Sequence, residues 1–324
     1  MKTNLRIVFM GTPEFAVESL DILIRNGYSV AGVVTAPDRP SGRGKKIRYS
    51  PVKNYALEKG ITVLQPEKLN DTGFLRALRS MSPNLQVVVA FRMLPKAVWD
   101  MPEYGTFNLH ASLLPDYRGA APMNWVLING ESKTGVTTFF LNGNIDTGNI
   151  IMSKEVSLGS DETYGELHDR LMVIGAELVL ETVKALERDE VQVTGQETLA
   201  RGRQLHTAPK IYKEDCRIDF YRNAKQVHDL VRGLNPLPGA FCGLRSPCGD
   251  TTLLKIFRTS YSLHDHIAEP GSIHTDKHSF LKVFARSGYV LVKELQIAGK
   301  RRMKTADFLR GFPLDDSWKM TSKV

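Results

Sequence analysis

The residues best suited to chemistry lie at the end of a short apolar run. Asn108 and His110 stand two apart there. Because alternate side chains of a strand point to the same face, an amide donor and a titratable imidazole would line one pocket. A third candidate, Asp146, lies in the loop after the β-branched run 136–141. An amide, an imidazole and a carboxylate can together bind a developing oxyanion, move a proton and orient the imidazole.

A lone histidine in an apolar stretch is usually a hydrogen-bonded structural residue, so its surroundings must decide. The string at 110–122 resembles the H-x-S-L-L-P-x-Y-R-G-x-x-P signature of folate-dependent formyltransferases. The family's G-V-T and D-x-G pieces recur at 135–137 and 146–148. This resemblance implies formyl transfer by Asn108, His110 and Asp146. The matching signature positions are His110, Ser112, Leu113, Leu114, Pro115, Tyr117, Arg118, Gly119 and Pro122.

Length and composition predict a globular enzyme of two domains. The chain has 324 residues, of which 42% are hydrophobic and 24% charged. No apolar run approaches the ~20 residues that span a bilayer, and the apolar run at 7–10 is too short for a signal peptide. The three cysteines are odd in number and lack C-x-x-C spacing, which argues against a disulfide framework or a zinc site. We therefore expect a cytoplasmic protein that uses no metal and meets no membrane.

The first 189 residues alternate strand-like and helix-like segments. This alternation predicts a Rossmann-like, mostly parallel sheet. Neither G-x-G-x-x-G nor G-x-x-x-x-G-K-[ST] occurs, so neither a dinucleotide nor a nucleoside-triphosphate cradle is indicated. Strands are expected at 5–10, 29–34, 61–64, 85–90, 106–109 and 136–141, and helices near 13–26, 51–59 and 71–80.

A long helix is expected to close this first domain. Thr163 and Glu166 have the spacing of a capping box, and apolar residues then recur every three or four positions. The polar stretch 190–209, without a sustained period, is interpreted as a linker. Short strand-like runs at 253–257, 281–284 and 289–297 predict a smaller β-barrel, similar to an OB fold, at 210–324.

Charge distinguishes the two parts of the chain. Residues 205–324 hold 20 Lys and Arg against 12 Asp and Glu, whereas residues 1–204 hold 23 of each. The second part therefore carries the whole net charge of +8 and suits a polyanion. A basic run is often only a solvated face, so binding to nucleic acid remains a hypothesis. The candidate contacts are Lys210, Lys300, Arg301 and Arg302.

The neutral first part has one basic segment, at 39–53. It carries six basic residues and no acid, and its glycines and prolines predict an extended, mobile loop without regular structure. Such loops can order around single-stranded RNA. Its candidate RNA contacts are Arg43, Lys45, Lys46 and Arg48.

The same segment extends the family resemblance. Residues 37–46 are similar to the P-D-R-P-x-G-R-G-K-K loop of the methionyl-tRNA formyltransferases, and residues 235–238 to that family's N-P-x-P. One stretch departs from the pattern: residues 90–95 are shorter by one than A-Y-G-x-x-L-P and contain Arg92. A similar arginine, and a motif like that at 124–131, occur in sugar-amine formyltransferases. That activity is the alternative, although a basic glycine-rich loop is not expected for a nucleotide-sugar acceptor.

The resemblance implies transfer from 10-formyltetrahydrofolate to the amino group of methionyl initiator tRNA. Asn108 would donate to the oxyanion, and His110 would donate a second hydrogen bond as imidazolium. Asp146 would favour that charged form and is a candidate to accept the amine proton, directly or through water. The sequence leaves open which group takes that proton first. The folate would border Ser112, Leu113, Leu114 and Pro115, which also suit a structural turn. The enzyme is expected to act as a monomer. A catalytically silent RNA-binding module is the contrasting hypothesis, and it leaves the three catalytic candidates unexplained.

Overall fold

The computed structural model describes residues 4–41 and 46–323. In chain order its strands are β1 (Arg6–Gly11), β2 (Ser29–Val34), β3 (Arg39–Ser41), β4 (Lys46–Arg48), β5 (Val63–Leu64), β6 (Leu85–Val89), β7 (Thr106–His110), β8 (Arg118–Gly119), β9 (Lys133–Phe140), β10 (Ile150–Ser157), β11 (Thr207–Ala208), β12 (Ala240–Arg245), β13 (Thr251–Ser262), β14 (Ile273–Thr275), β15 (Leu281–Phe284), β16 (Tyr289–Ile297), β17 (Met303–Lys304) and β18 (Lys319–Thr321). Its α-helices are α1 (Val17–Arg25), α2 (Pro51–Glu58), α3 (Thr72–Ser80), α4 (Lys96–Trp99), α5 (Pro122–Ile128), α6 (Tyr164–Glu187), α7 (Gln196–Ala200), α8 (Ala224–Gly233) and α9 (Thr305–Gly311).

The chain forms two compact units. The first contains the chain up to Gly119 together with Thr134–Val156 and His168–Thr207, and the second contains Ala120–Lys133, Ser157–Leu167 and the chain from Ala208 onward. Each unit thus draws on separate stretches of sequence. The simple division at residues 189 and 210 remains a prediction.

The first unit is built on a seven-stranded sheet in the order β10-β9-β7-β6-β1-β2-β5. The pairs β1 with β2, β1 with β6, β6 with β7 and β2 with β5 are parallel, whereas β9 is antiparallel to β7. This confirms the Rossmann-like prediction. The chain order reverses direction between β1 and β6, and ligands of such sheets bind outside the carboxyl ends of the strands near that point. Strand β7 is parallel to β6 and ends at His110, on this carboxyl edge of the sheet.

Local sequence explains where the elements of this unit begin. Ile7, Val8, Phe9 and Met10 of β1 are fully buried, as expected of a parallel strand covered on both faces. Helix α2 begins after Ser50, whose side chain accepts a hydrogen bond from the main-chain nitrogen of Lys53. Asp71 caps α3 in the same way. Such caps satisfy main-chain donors that have no partner within the helix.

The long helix predicted after residue 163 is α6. The main-chain nitrogen of Thr163 donates to Glu166 Oε2 at 2.8 Å, and the nitrogen of Glu166 approaches Thr163 Oγ1 at 3.4 Å. This reciprocal pair is the predicted capping box. Leu171 and Leu178 further along are buried, as the periodicity required. No helix of the described residues is long and apolar enough to cross a membrane.

The second unit is an antiparallel barrel. Its sheet has the order β14-β15-β16-β13-β12-β18, and β17 pairs with β16. The two ends of this order meet, because Ser272 bridges Lys319 and the nitrogen of Met320 donates to the carbonyl of Gly271 at 2.8 Å. The predicted barrel is confirmed. Helix α8, which was not among the predicted elements, starts with a capping box between Asn223 and Gln226.

The basic segment is more regular than expected. Strands β3 and β4 form an antiparallel pair in which Arg39 faces Arg48 and Pro40 faces Ile47. We call residues 39–48 the basic hairpin. The prediction of a loop without regular structure was therefore wrong. Proline lacks an N–H donor, but it is tolerated in an edge strand, and both strands of a two-stranded sheet are edge strands. The glycines at 42 and 44 lie outside the described residues.

Candidate active site

Asn108 and His110 lie on one face of β7, as their spacing predicted. His110 is buried, with 6% of its surface exposed, and Asn108 is half-buried. Within the described part of the chain, the Asn108 amide makes no hydrogen bond. Its donors, at the carboxyl edge of the sheet, are therefore unpaired among the described residues.

The two ring nitrogens of His110 have different neighbours. Nε2 lies 2.9 Å from the main-chain oxygen of Tyr117. A carbonyl oxygen only accepts, so Nε2 carries the proton and donates it to this bond. Nδ1 faces Asp146 Oδ2 at 3.8 Å, which is too long for a direct hydrogen bond. Nδ1 is therefore the ring nitrogen that faces Asp146 without a hydrogen bond to it.

Asp146 is held in position by its own main chain and by its carboxylate. Its φ of +52° lies in the left-handed region that non-glycine residues seldom adopt. Oδ2 accepts a hydrogen bond from the nitrogen of Gly119 at 2.9 Å. The carboxylate is thereby fixed close to His110 but apart from it. A water molecule or an amine N–H can bridge the two groups.

Ser112 to Pro115, the predicted folate border, form a tight turn. The Ser112 hydroxyl donates to the carbonyl of Asp116 at 2.7 Å, and Leu114 is buried. Thr137 Oγ1 donates to the carbonyl of Ser112 at 2.7 Å and accepts from the nitrogen of Leu114 at 3.2 Å. The threonine of the G-V-T piece thus secures this turn. Contact with folate remains a prediction.

The glycines of the two smaller motifs are required by close main-chain packing. A Cβ on Gly148 would lie 1.6 Å from the carbonyl oxygen of Phe140, and one on Gly135 would lie 2.2 Å from that of Lys154. No side chain fits at such distances. Asp146 therefore lies on a loop that returns to β9 at Gly148, a position that accepts no residue larger than glycine.

Gln196 and Arg118 are site residues to which no sequence pattern assigned a role. Gln196 is 2% exposed, and its Nε2 donates to the carbonyls of Asp146 and Gly148 at 2.9 and 2.8 Å. Its Oε1 accepts from Nε and Nη2 of Arg118 at 2.9 and 2.7 Å. Gln196 lies in the stretch predicted as a linker, and its polar neighbours give no periodicity that marks it as buried. Arg118 was visible only as a motif position.

The departing residue Arg92 contacts main chain. Its Nη1 donates to the carbonyl of Glu67 at 2.8 Å, and Nη2 donates to that of Pro66. Partial desolvation lowers the pKa of Arg92, and nearby Arg39 adds to this effect. The guanidinium therefore secures the connection after β5.

The base of the basic hairpin is anchored by Asp38. Its Oδ2 lies 2.5 Å from Lys53 Nζ, and its Oδ1 accepts from Gln65 Nε2 at 2.8 Å. These two hydrogen bonds lower the pKa of Asp38. Lys53 also lies over the ring of Tyr49 at 3.8 Å. Lys53, although basic, is thus committed to holding the hairpin.

The predicted RNA contacts of the hairpin are only partly described. Arg43 and Lys45 lie outside the described residues, and Lys46 begins β4. Arg48 is exposed, and its neighbours Ile47 and Tyr49 are 67% and 49% exposed. A basic residue between exposed apolar and aromatic side chains suits contact with unstacked bases.

All four basic candidates in the second unit are exposed, but Arg302 also has protein partners. Lys210, Lys300 and Arg301 are exposed. Arg302 donates through Nε to Glu294 at 2.9 Å and through Nη1 to Asn235 at 3.1 Å. Its guanidinium also lies 4.4 Å from the ring centre of a phenylalanine, Phe257. Arg302 therefore has structural partners that compete with any phosphate.

Other sequence features have structural explanations. In the motif at 124–131, the buried Asn124 amide donates to the carbonyl of Gly233 at 2.8 Å within the second unit. This contact gives the motif a structural role, so its presence does not indicate a nucleotide-sugar acceptor. Among the described residues, no group of three or more His, Cys, Asp or Glu side chains is arranged to hold a metal ion.

Two sequence profiles match most of the chain. The profile described as formyl transferase matches residues 5–183, and the one described as formyl transferase, C-terminal domain, matches residues 210–313. The chain belongs to the formyl transferase family. The methionyl-tRNA formyltransferase of Bacteroides thetaiotaomicron is 52% identical to this formyl transferase over 319 residues, covering 98% of this chain and 99% of that protein. The enzyme of the same name from Flavobacterium johnsoniae is 48% identical over 317 residues, covering 98% and 99%.

Solved structures share the fold of this formyl transferase at low identity. An N-formyltransferase from Helicobacter canadensis, crystallised with folinic acid and dTDP-3-aminofucose, matches with a TM-score of 0.63 and 17% identity. The match covers 92% of this chain and all of that one. At this identity the likeness concerns the fold alone.

Proposed function

We propose that the chain transfers the formyl group of 10-formyltetrahydrofolate to the α-amino group of methionyl initiator tRNA. The observation that carries the proposal is the cluster of Asn108, His110 and Asp146 at the carboxyl edge of the sheet, with His110 Nδ1 3.8 Å from Asp146 Oδ2. Relatives near 50% identity over almost the whole chain have the name of this activity. The product is N-formylmethionyl-tRNA, which initiates translation.

The reaction replaces one carbon–nitrogen bond with another. The neutral amine attacks the formyl carbon, the carbonyl oxygen becomes an oxyanion, and the bond to folate N10 then breaks. The free amide of Asn108 donates to this oxyanion. The imidazolium of His110 donates through Nδ1, because Nε2 is already bound to the Tyr117 carbonyl.

Asp146 acts on the proton balance of the site. Its carboxylate stabilises the imidazolium by its charge. It also accepts the proton that the attacking amine loses, directly or through a water, since its spacing from His110 leaves both routes open. The proton is finally delivered to the departing folate nitrogen. No metal is needed for any of these steps.

The acceptor is bound by two basic surfaces. The basic hairpin contacts the single-stranded end of the tRNA, and the barrel contacts its phosphate backbone. Ser112 to Pro115 border the folate. We place the enzyme in the cytoplasm and propose that it acts as a monomer, which sedimentation at working concentration tests.

A parallel transfer assay tests the proposed function. Labelled 10-formyltetrahydrofolate is offered with methionyl initiator tRNA, methionyl elongator tRNA or an amino-sugar nucleotide. We expect label chiefly in the initiator tRNA. Label in the sugar nucleotide instead establishes the alternative acceptor, whereas tRNA binding without transfer to any acceptor establishes a catalytically silent RNA-binding protein.

The basic hairpin is expected to serve the acceptor and not the fold. Replacing Arg43, Lys45 and Lys46 with alanine removes three positive charges from the basic segment, and we expect the melting temperature hardly to change. We expect kcat/KM for methionyl-tRNA to fall on the order of tenfold, because contacts to phosphates are lost. The measurements are thermal melting and initial rates at varied tRNA concentration.

A matched variant controls for charge alone. Lys68, Arg76 and Arg79 are exposed on the first unit, away from the hairpin in sequence. Their replacement with alanine removes the same charge and should leave kcat/KM near that of the wild type. A hairpin variant that melts several degrees lower but formylates tRNA normally contradicts this role.

The exposed basic residues of the barrel should control the salt dependence of tRNA binding. Each cation on a phosphate releases counterions, so log Kd changes linearly with log salt. Replacing Lys300 and Arg301 with alanine should reduce that slope by about one to two. Arg302→Ala should instead lower stability and change the slope less, since Arg302 is bound to Glu294. Identical slopes in the wild type and the double variant reject the barrel as a docking surface.

A further inference from the structure

The side chain of Gln196 uses every hydrogen-bonding group it has. The two Nε2 hydrogens are donated to the carbonyls of Asp146 and Gly148, and Oε1 accepts two bonds from Arg118. Only 2% of the residue is exposed. A buried amide with all its bonds satisfied has one available orientation, so it fixes whatever it contacts.

The groups that Gln196 contacts belong to the two loops of the candidate site. Asp146 and Gly148 lie in the D-x-G loop. Arg118, the first residue of β8, directly follows the loop residue Tyr117, whose carbonyl accepts a hydrogen bond from His110. The carboxylate of Asp146 also accepts a hydrogen bond from the main-chain nitrogen of Gly119. Gln196 therefore ties the loop of the carboxylate to the loop that orients the imidazole.

Further bonds from the same stretch of chain support this arrangement. Arg203 Nη2 lies 2.5 Å from Asp116 Oδ2, and the nitrogen of His206 donates to Asp116 Oδ1 at 3.0 Å. The nitrogen of Tyr117 donates to the carbonyl of His206 at 2.8 Å. We call residues 195–206 the strap. It is joined to the site at both ends, by Gln196 and by His206.

From these contacts we infer that Gln196 is a positioning residue for the reaction, which sets the separation of Asp146 from His110. The inference rests on the proposed function. Asp146 holds a φ of +52°, a left-handed conformation that a non-glycine residue keeps only where its surroundings constrain it. The amide of Gln196, bound to the carbonyls on both sides of Thr147, supplies that constraint.

The test is a double-variant cycle in the full-length protein. Gln196→Met keeps the size of the side chain and removes its hydrogen bonds. We expect kcat for formyl transfer to fall about tenfold to a hundredfold, with KM for methionyl-tRNA little changed, because displacement of a catalytic group by about 1 Å is enough for such a loss. In an Asp146→Asn background the same substitution should have almost no further effect.

Two more variants separate positioning from general destabilisation. Gln196→Glu keeps the acceptor for Arg118 but directs a second oxygen at two carbonyls, so it should stay folded and still lose kcat. Glu197→Gln, at the exposed neighbouring position, should match the wild type in kcat and melting temperature.

The outcomes are distinct. The inference is overturned if Gln196→Glu keeps the wild-type kcat. It is also overturned if Gln196→Met lowers kcat by the same factor in the wild-type background and in the Asp146→Asn background. If Gln196→Met does not fold, Gln196→Glu and its cycle with Asp146→Asn decide alone. A wild-type protein that transfers no formyl group to methionyl-tRNA overturns the proposed function instead.

Discussion

Replacing His110 with alanine is expected to lower kcat for formyl transfer about a hundredfold or more, and Asn108→Ala and Asp146→Ala should each do the same. All three groups act on one transition state, so the losses in double variants should be smaller than the product of the single losses. His110→Ala removes the Nδ1 donor, whereas Asp146→Ala removes the charge 3.8 Å from it. Single-turnover rates with saturating folate and tRNA measure the effect.

Binding and folding provide the controls for these variants. Affinity for tRNA and the far-ultraviolet circular dichroism spectrum should remain near those of the wild type, because the three side chains lie at one edge of the sheet. Replacement of the exposed His278 with alanine should leave kcat unchanged. Near-normal kcat in His110→Ala would show that the active site has been assigned to the wrong residues.

Gly148→Ala is expected to abolish most activity without touching a catalytic side chain. Its Cβ would stand 1.6 Å from the carbonyl oxygen of Phe140, so the loop must move and take Asp146 with it. We expect kcat to fall about as far as in Asp146→Ala, on the order of a hundredfold. The melting temperature should also fall by several degrees, because adding a side-chain atom at a fully packed position is destabilising.

The same loop offers a matched control. A Cβ on Gly143 would meet no heavy atom within 4 Å. Gly143→Ala should therefore retain both kcat and melting temperature. If Gly148→Ala were as active as Gly143→Ala, the loop would tolerate a shift of its main chain, and a fixed position for Asp146 would not be needed.

Patterns that repeat over a few residues predicted most of the first unit. The alternation of apolar runs and helical periods predicted the parallel strands, and the capping residues predicted where α6 begins. The spacing of Asn108 and His110 placed them on one face, because side-chain direction in a strand has a period of two. These features depend on near neighbours in the chain.

Charge counts predicted less than the folded structure reveals. The excess of basic residues in the barrel is a property of the sequence, but which of them already bind protein partners is not. Arg302 belongs to the run that begins at Lys300, yet it is bound to Glu294 and stacked on Phe257. A residue's neighbours on adjacent strands decide whether its charge is available, and a linear count does not include them.

The sequence by itself determined the family, the fold class and the three candidate catalytic residues. Only the tertiary structure decided which nitrogen of His110 faces Asp146, and that Gln196 holds the site together. Gln196 is 78 residues from Arg118 and 50 from Asp146 in the chain. No local period links positions so far apart. Their hydrogen bonds form because folding buries polar groups together, and each buried group must then find a partner.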